Sequence, residues 1–363
     1  MTHRPDPDSA LFSSSVSTHA SVEGATGEGR RFDRGKAMFA LPVVPWLWYL
    51  VRGIHSRMDQ VAIALPVIAI VATVVALYIT VTQASLKALA FTLSSALFFV
   101  VAIIGPWRPQ SGTVPDQPIR IATVNTGLYW FSDNDVGFLV NQEQPDLVVG
   151  VELAESHDTE LESRFEHSIA DILPLERQQQ NEVALQPEGD SYRRNGLPSI
   201  GVYTNLEVTV LDDPVADVIN GGLPGFRLQV DAETGPMIVY ALHIPRPAGT
   251  DGPYEVSVSD HVSMVEAIAD AVEAETLPTI VVGDLNTVDR GQGYRRLTST
   301  LTDAMRQNAW AVPTADRPLP FSLLFARIDH VLMSSDLCAT SGKSINTRYA
   351  DHRPLVVDVG MCP

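Results

Sequence analysis

Two cysteines in 363 residues leave no room for a disulfide-dense scaffold or a four-cysteine zinc site. Charged residues are also scarce, at 19%, which is low for a wholly soluble chain and in keeping with membrane segments. Basic residues are the scarcer sign, with 25 Lys and Arg against 43 Asp and Glu and a formal net charge of −18. The deficit is uneven. The first 110 residues carry nine Lys/Arg and six Asp/Glu, whereas the remainder carries sixteen against thirty-seven. A body this acidic argues against tight non-specific nucleic-acid binding, whose affinity comes from neutralising phosphates with cations. It still allows a polyanionic substrate held through bound metal. Also missing are a G-x-S-x-G elbow, a G-x-x-x-x-G-K-[ST] loop, H-E-x-x-H and C-x-x-C, each the mark of a different chemistry. There are no internal repeats, and no apolar h-region follows the first residues, so no secretory signal is expected there.

Residues 1–36 are rich in Ser, Thr, Gly and charge without apolar periodicity, which predicts a disordered tail. The tail ends in a basic cluster, Arg30, Arg31, Arg34 and Lys36. Residues 61–82 and 88–107 then run 22 and 20 residues without a charge. As helices they would measure about 33 and 30 Å, the thickness of a bilayer core. Both are predicted to be transmembrane helices, with Trp107 as an interfacial aromatic. Residues 37–53 are shorter in apolar run and broken by Pro42 and Pro45. They read either as a short third span or as an interfacial helix anchored by Trp46, Trp48 and Tyr49. The basic cluster favours a cytoplasmic N-terminus, so three spans would place the body outside and two would keep it inside. Arg52 and Arg57, in an outer loop under the three-span arrangement, weigh against it. Residues 108–118 form a Pro-rich linker, and residues 119–363 form the folded body.

Within the body, residues 119–125 alternate apolar and polar, the period of a strand. Residues 146–152 and 279–284 are apolar runs ending in an acid, and 236–243 ends in a histidine. Val262, Val265, Ile268, Ala269 and Val272 recur at helical spacing, predicting an amphipathic helix over about 259–274. Residues 327–333 and 354–359 are expected to be the last two strands, and 174–196 a surface loop. Many strands with few intervening helices predict an α/β sandwich of two sheets flanked by helices.

The polar residues at strand ends form an ordered series: Asn125, Glu152, His243, Asp284 with Asn286, Asp329, then Asp351 with His352. Singly they are weak signals. Asp284-Leu285-Asn286 alone reads equally well as an Asx turn, and a histidine closing a strand is more often structural. Glu152 is harder to dismiss, because an unpaired buried carboxylate is costly.

The series resembles the endonuclease/exonuclease/phosphatase superfamily, the deoxyribonuclease I-like fold. The matching elements are I-A-T-V-N closing at Asn125, D-L-V-V-G-V-E closing at Glu152, His243-Ile244-Pro245, Gly283-Asp284-Leu285-Asn286, Ile328-Asp329-His330-Val331-Leu332 and Ala350-Asp351-His352-Arg353-Pro354. Val151, Thr126 and Ala350 depart from the usual Gln, Val or Leu, and Ser. The resemblance implies a four-layer α/β sandwich preceded here by N-terminal transmembrane helices. It implies a Mg²⁺ (or Mn²⁺) ion held by Asn125 and Glu152, with Asp351 as a further contact. It assigns Asp284 to activating water, Asn286 to holding water and phosphate, and His243 and His352 to the phosphate. Asp329 would orient His352, and His330 would pack. Such enzymes hydrolyse phosphoric esters, which requires charge neutralisation and a positioned water.

The substrate is narrowed by context. An acidic body tethered beside a bilayer, with an apolar segment from Trp310 to Phe325 ahead of Asp329, suits a lipid-linked phosphate ester or pyrophosphate better than a nucleic acid. A membrane-tethered nuclease and a non-catalytic binding module are the alternatives. Arg246, Arg193 and Arg194 are candidate substrate contacts. Spans followed by this domain are also similar to membrane-anchored actinobacterial members of the family, the teicoplanin-resistance protein VanJ among them, which implies an outward-facing domain. In such a fold Cys338 and Cys362 would both emerge at the end opposite the site. A disulfide there is expected only in an oxidising compartment, and it favours three spans and an outer catalytic domain. Oligomeric state has no signature in the sequence.

Overall fold

The computed structural model describes residues 43–51, 58–127, 132–172, 200–219, 222–247, 255–315, 326–346 and 352–363. Three apolar helices come first. α1, Val43–Val51, has nine residues, roughly 14 Å of helix. α2, Met58–Gln83, has 26. α3, Leu86–Phe99, is capped by the Ser85 hydroxyl and runs on through a π turn, Val100–Ile104, and a 3-10 turn, Gly105–Trp107. Two stretches, Leu65–Gln83 and Leu86–Trp107, are long and apolar enough to cross a membrane. Val74, Leu77, Tyr78, Val81, Leu89 and Leu93 all point outward, the reverse of a soluble helix pair, which hides its apolar stripe. The Thr80 and Thr92 hydroxyls join α2 to α3 at 2.7 Å. α1 lies across α3, with the Trp46 indole donating to Ser94 Oγ at 3.2 Å and its ring 5.0 Å from Phe98.

The connection from α3 to the body is pinned. Ala311 N donates to the Trp107 carbonyl at 3.1 Å, Gln110 N to Arg306 O at 2.7 Å, and Asn308 N to Gln110 O at 2.8 Å. The first sheet then begins. Its order is β13-β14-β1-β2-β4-β3, where β1 is Asp116–Asn125, β2 Leu147–Val151, β3 His167–Asp171, β4 Ile200–Thr204, β13 Leu337–Ser344 and β14 Leu355–Met361. The second sheet is β11-β12-β10-β7-β6-β5, where β5 is Glu207–Val210, β6 Gly225–Ala232, β7 Gly235–His243, β10 Thr279–Asp284, β11 Thr302–Asp303 and β12 Asp329–Met333. A two-residue pair, β8 (Arg246–Pro247) with β9 (Glu255–Val256), stands apart.

The sheets face each other across one apolar layer that includes Ile121, Val149, Val202, Val239, Val282, Val331 and Val357. Helices α4 (Asp133–Glu143) and α5 (Glu155–Glu162) cover the outer face of the first sheet, around Val124, Leu139, Leu161 and Tyr203. Helices α6 (Val258–Glu273) and α7 (Gln292–Leu297) cover the second, around Tyr240, Val265, Ile268 and Leu297. This is the expected four-layer α/β sandwich. The central strands are buried on both faces, which is why they read as continuous apolar runs rather than alternating ones. One expectation is corrected: β13 lies between β12 and β14, so residues 327–333 and 354–359 do not mark consecutive final strands. The expected loop at 174–196 lies outside the described residues. Cys338, on β13 opposite Gly360, is disulfide-bonded to Cys362, just past β14, with Cα atoms 5.0 Å apart.

Candidate active site

The sheet topology decides which strand ends meet. β1 and β2 are parallel, as are β7 and β10, so Asn125, the residue after Val151, His243 and Asp284 all lie where strands finish. β12 runs antiparallel to β10, with Asp329 opposite Asp284, and β14 runs antiparallel to β1, so Asp329 and His352 lie where strands begin. Strand finishes and strand starts thus share one rim. Gly283 is required there: its φ is +132°, and a Cβ would stand 2.0 Å from the Leu242 carbonyl oxygen. Glu152 and Asn286 are left-handed, at φ 54° and 46°. These are sparsely populated conformations for residues other than glycine, and they turn the chain sharply off the strand tips.

The side chains converge. Asn125 Nδ2 donates to Glu152 Oε1 at 3.2 Å and to Asp284 Oδ2 at 3.0 Å, which ties one sheet to the other. His243 Nε2 lies 3.8 Å from Glu152 Oε1. His352 Nδ1 lies 2.9 Å from Asp329 Oδ2 and 3.9 Å from Asp284 Oδ2. Asn286 reaches back, its backbone N–H to Asp284 Oδ1 at 2.9 Å and its amide to the Ile244 carbonyl at 2.9 Å. Asn125, His243, Asp284, Asp329 and His352 are all buried, while the Glu152 side chain is 27% exposed and opens the cluster to solvent.

Burial pushes the Asp284 carboxyl up to about 8, with the like charges of Asp329 and Glu152 adding to it and His352 and the Asn286 N–H opposing. Burial would raise Asp329 as well, but the charge and hydrogen bond of His352 hold it below the ordinary carboxylate range. The rim sets three carboxyl groups, Glu152, Asp284 and Asp329, beside two histidines, His243 and His352. Ligand atoms of Glu152, His243 and Asp284 lie within 4.8 Å of one another, as do those of Asp284, Asp329 and His352. A concentration of hard carboxylate oxygens fits a divalent cation of the Mg²⁺ or Mn²⁺ kind. Asn125 Oδ1 accepts from Gly127 N at 2.9 Å, and its N–H₂ group faces the carboxylates.

Of the residues singled out in the sequence, Asn125, Glu152, His243, Asp284, Asn286, Asp329 and His352 are brought together. Arg246 is exposed on β8, and Asp351, Arg193 and Arg194 lie outside the described residues. His330 is fully buried, its Nε2 2.8 Å from the Thr287 carbonyl and its ring 5.0 Å from Tyr294, a packing position. Its nominal cluster with Asp289 and Asp303 encloses the Arg327 guanidinium, which pairs with both acids. Two contributors had no sequence signal. Thr314 Oγ1 accepts from the backbone N–H groups of Ile328 and Asp329 at 3.0 and 3.1 Å, and Thr126 Oγ1 donates to the Glu152 carbonyl at 2.5 Å.

The chain matches the sequence profile described as "Endonuclease/Exonuclease/phosphatase family" over residues 139–352, more than half its length. No functionally curated protein matches it. Solved structures that it resembles include an endonuclease/exonuclease/phosphatase from Beutenbergia cavernae, at 18% identity, covering 68% of this chain and 72% of that one with a TM-score of 0.47. Another is the 3′ phosphatase NExo from Neisseria, bound to a product DNA hairpin, at 14% identity, 66% and 98% coverage and a TM-score of 0.45. A third is an AP endonuclease from Archaeoglobus fulgidus, at 12% identity, 66% and 98% coverage and a TM-score of 0.47. The profile match names a family and no branch within it. All three activities in that name break phosphoric esters with water, and the chain belongs to this endonuclease/exonuclease/phosphatase family of phosphoric ester hydrolases.

Proposed function

We propose that the chain is a membrane-anchored, divalent-metal-dependent phosphoesterase whose substrate is a lipid-linked phosphate ester or pyrophosphate. The observation that carries the reading is the siting of the polar rim. Val288, Ala315 and Ala326, from the loops beside Asn286, His352 and Asp329, pack in one apolar cluster with Ala62, Leu65, Ala69, Phe98 and Ala102 of α2 and α3. A mouth built against bilayer-length helices suits a phosphate presented at the membrane surface.

Glu152, the Asn125 amide after reorientation, and Asp351 would hold Mg²⁺ or Mn²⁺. Bound there, the ion supplies charge neutralisation for the phosphoryl oxygens. Asp284 orients the attacking water and accepts its proton, with Asn286 fixing the Asp284 carboxylate and the water. His243 and His352 face the phosphate and stabilise the charge that develops on it. Asp329 keeps Nδ1 of His352 protonated, leaving Nε2 for the substrate. Arg246, Arg193 and Arg194 contact the remainder of the substrate.

The proposal also places the catalytic body outside the cytoplasm, reached through three membrane segments of which α1 is the first. Two features support this. α1 meets α3 at Ser94 and Phe98, midway along the apolar stretch, and the Cys338–Cys362 bond belongs to an oxidising compartment.

The test uses the full chain in detergent with Mg²⁺, offered lipid phosphates and pyrophosphates, inositol phosphates, plasmid and single-stranded DNA. Expected is release of phosphate from a lipid substrate, its loss in chelator and restoration by Mg²⁺ or Mn²⁺, and a fall of about 10²–10⁴-fold in Asp284→Asn. Rapid DNA cleavage without lipid turnover would make the chain a nuclease. Unimpaired activity in Asp284→Asn or in chelator would refute the mechanism, and no turnover of any substrate would leave a binding module.

A further inference from the structure

Between the apolar helices and the catalytic rim lies a buried polar clasp that the chemistry above does not use. The Trp107 indole, at the end of the α3 extension, donates to Asp289 Oδ2 at 2.5 Å. The other Asp289 oxygen accepts from Arg327 Nε at 2.9 Å. The same guanidinium pairs with Asp303 and meets the Tyr294 hydroxyl at 3.2 Å. Arg327, Asp289 and Asp303 are all buried. Arg290 stacks over the Trp107 ring at 5.9 Å, and its Nε reaches the Ala62 carbonyl of α2 at 3.4 Å.

The placement of the two charged partners gives the clasp its meaning. Asp289 ends the loop that begins with Asp284 and Asn286, and Arg327 stands two residues before Asp329. Three links stitch this loop to the start of β12: Leu285 N to Ile328 O at 3.0 Å, His330 Nε2 to Thr287 O at 2.8 Å, and the Arg327–Asp289 pair. One of the three is completed by a side chain from the membrane-proximal helix. A buried carboxylate needs every donor it can reach, so removing the indole N–H leaves Asp289 held by Arg327 alone and loosens the loop with it.

We propose that Trp107 is a positioning residue for the phosphoesterase site. Its N–H holds the 284–289 loop in register with β12 through Asp289 and Arg327, so the membrane helix is part of the catalytic unit and not only its tether. The kinetic consequence rests on the proposed function; the conformational consequence does not.

Two variants of the full chain in detergent at pH 8 separate positioning from anchoring. Trp107→Phe keeps an apolar interfacial ring without the N–H, and Trp107→His keeps a ring N–H at the expense of apolar surface. Expected for Trp107→Phe is a fall in kcat of about tenfold or more with KM for a soluble diester within about twofold, since small misplacement of reacting groups is costly. Amide exchange across residues 285–291 should accelerate by about tenfold in the same variant. Trp107→His should recover most of the kcat and the protection. An anchor would rank the variants the other way, because phenylalanine partitions to the interface better than histidine. Wild-type kcat and protection in Trp107→Phe, or a Phe variant equal to or better than the His variant, would overturn the proposal. A wild-type chain that hydrolyses nothing would sink the proposed function, and the exchange measurement would still decide this one.

Discussion

A carboxylate buried as deeply as Asp329 keeps its charge chiefly because His352 faces it at 2.9 Å, with Thr314 and His330 adding to the effect. The pair works as a unit, since the carboxylate fixes the imidazole tautomer and supports its protonated form. Asp329→Asn keeps the shape and an oxygen for Nδ1–H but withdraws the charge. Its kcat should fall by about 10²-fold, within the range that a positioned acid–base group contributes. His352→Ala should cost at least as much, and the double variant no more than His352→Ala alone, because residues acting together are not additive. Steady-state kinetics of the three variants on one soluble diester checks this, and fully additive losses would separate the two residues. At this scale the site was largely legible, because the chemistry demands particular side chains at strand tips and leaves them in a fixed order. Thr314 was not legible: a hydroxyl accepting two backbone N–H groups has no spacing to betray it. Nor was Arg327, whose partners Asp289 and Asp303 are brought to it by folding alone.

Among the elements, α6 was legible from its apolar spacing and lies close to where the pattern puts it, with Val265, Ile268 and Ala269 fully buried against the second sheet. The same face carries His261, which the pattern passes over. Burial lowers its pKa to about 4, with the hydrogen bond to the Leu285 carbonyl opposing. The folded-state pKa is depressed, so the contribution is intact above the unfolded value of about 6.5 and is lost as pH falls toward 4. The loss amounts to about 3 kcal/mol at most by that difference. His261→Gln keeps a donor for the Leu285 carbonyl and cannot titrate. Denaturant melts at pH 7 and pH 4.5 should show a smaller stability drop in His261→Gln than in wild type, and equal drops would place the acid sensitivity elsewhere. Strands buried on both faces were similarly readable. Edge strands were not. β5 has exposed or half-buried residues throughout, and β13, L-C-A-T-S-G-K-S, carries no apolar alternation. Pairing with β14 makes β13 a strand, and pairing is not visible in local sequence.

For the molecule as a whole, charge and covalent structure bear on the same question of which compartment holds the catalytic body. The excess of acid in the body, and the −18 of the chain, disfavour a polyanion gripped by electrostatics; under the proposed function, recognition falls to the rim and the apolar helices beside it. The Cys338–Cys362 bond closes a loop of 24 residues in sequence separation, which runs from β13 through His352 to just past β14. Closing a loop of that size should stabilise the fold by about 3 kcal/mol in the chain-entropy account, and it braces the strand that His352 leads into. If the body lies outside the cytoplasm as proposed, the bond forms in place and persists. Maleimide applied to intact cells should then leave both cysteines unlabelled until a membrane-impermeant reductant is added, after which both should react. A double Cys338→Ala, Cys362→Ala variant should lose about 3 kcal/mol of unfolding free energy while retaining the rim. Thiols that become reachable only after lysis would put the catalytic body on the cytoplasmic side and remove the third membrane segment from the topology, whereas thiols labelled in intact cells before reduction would show that the bond does not form.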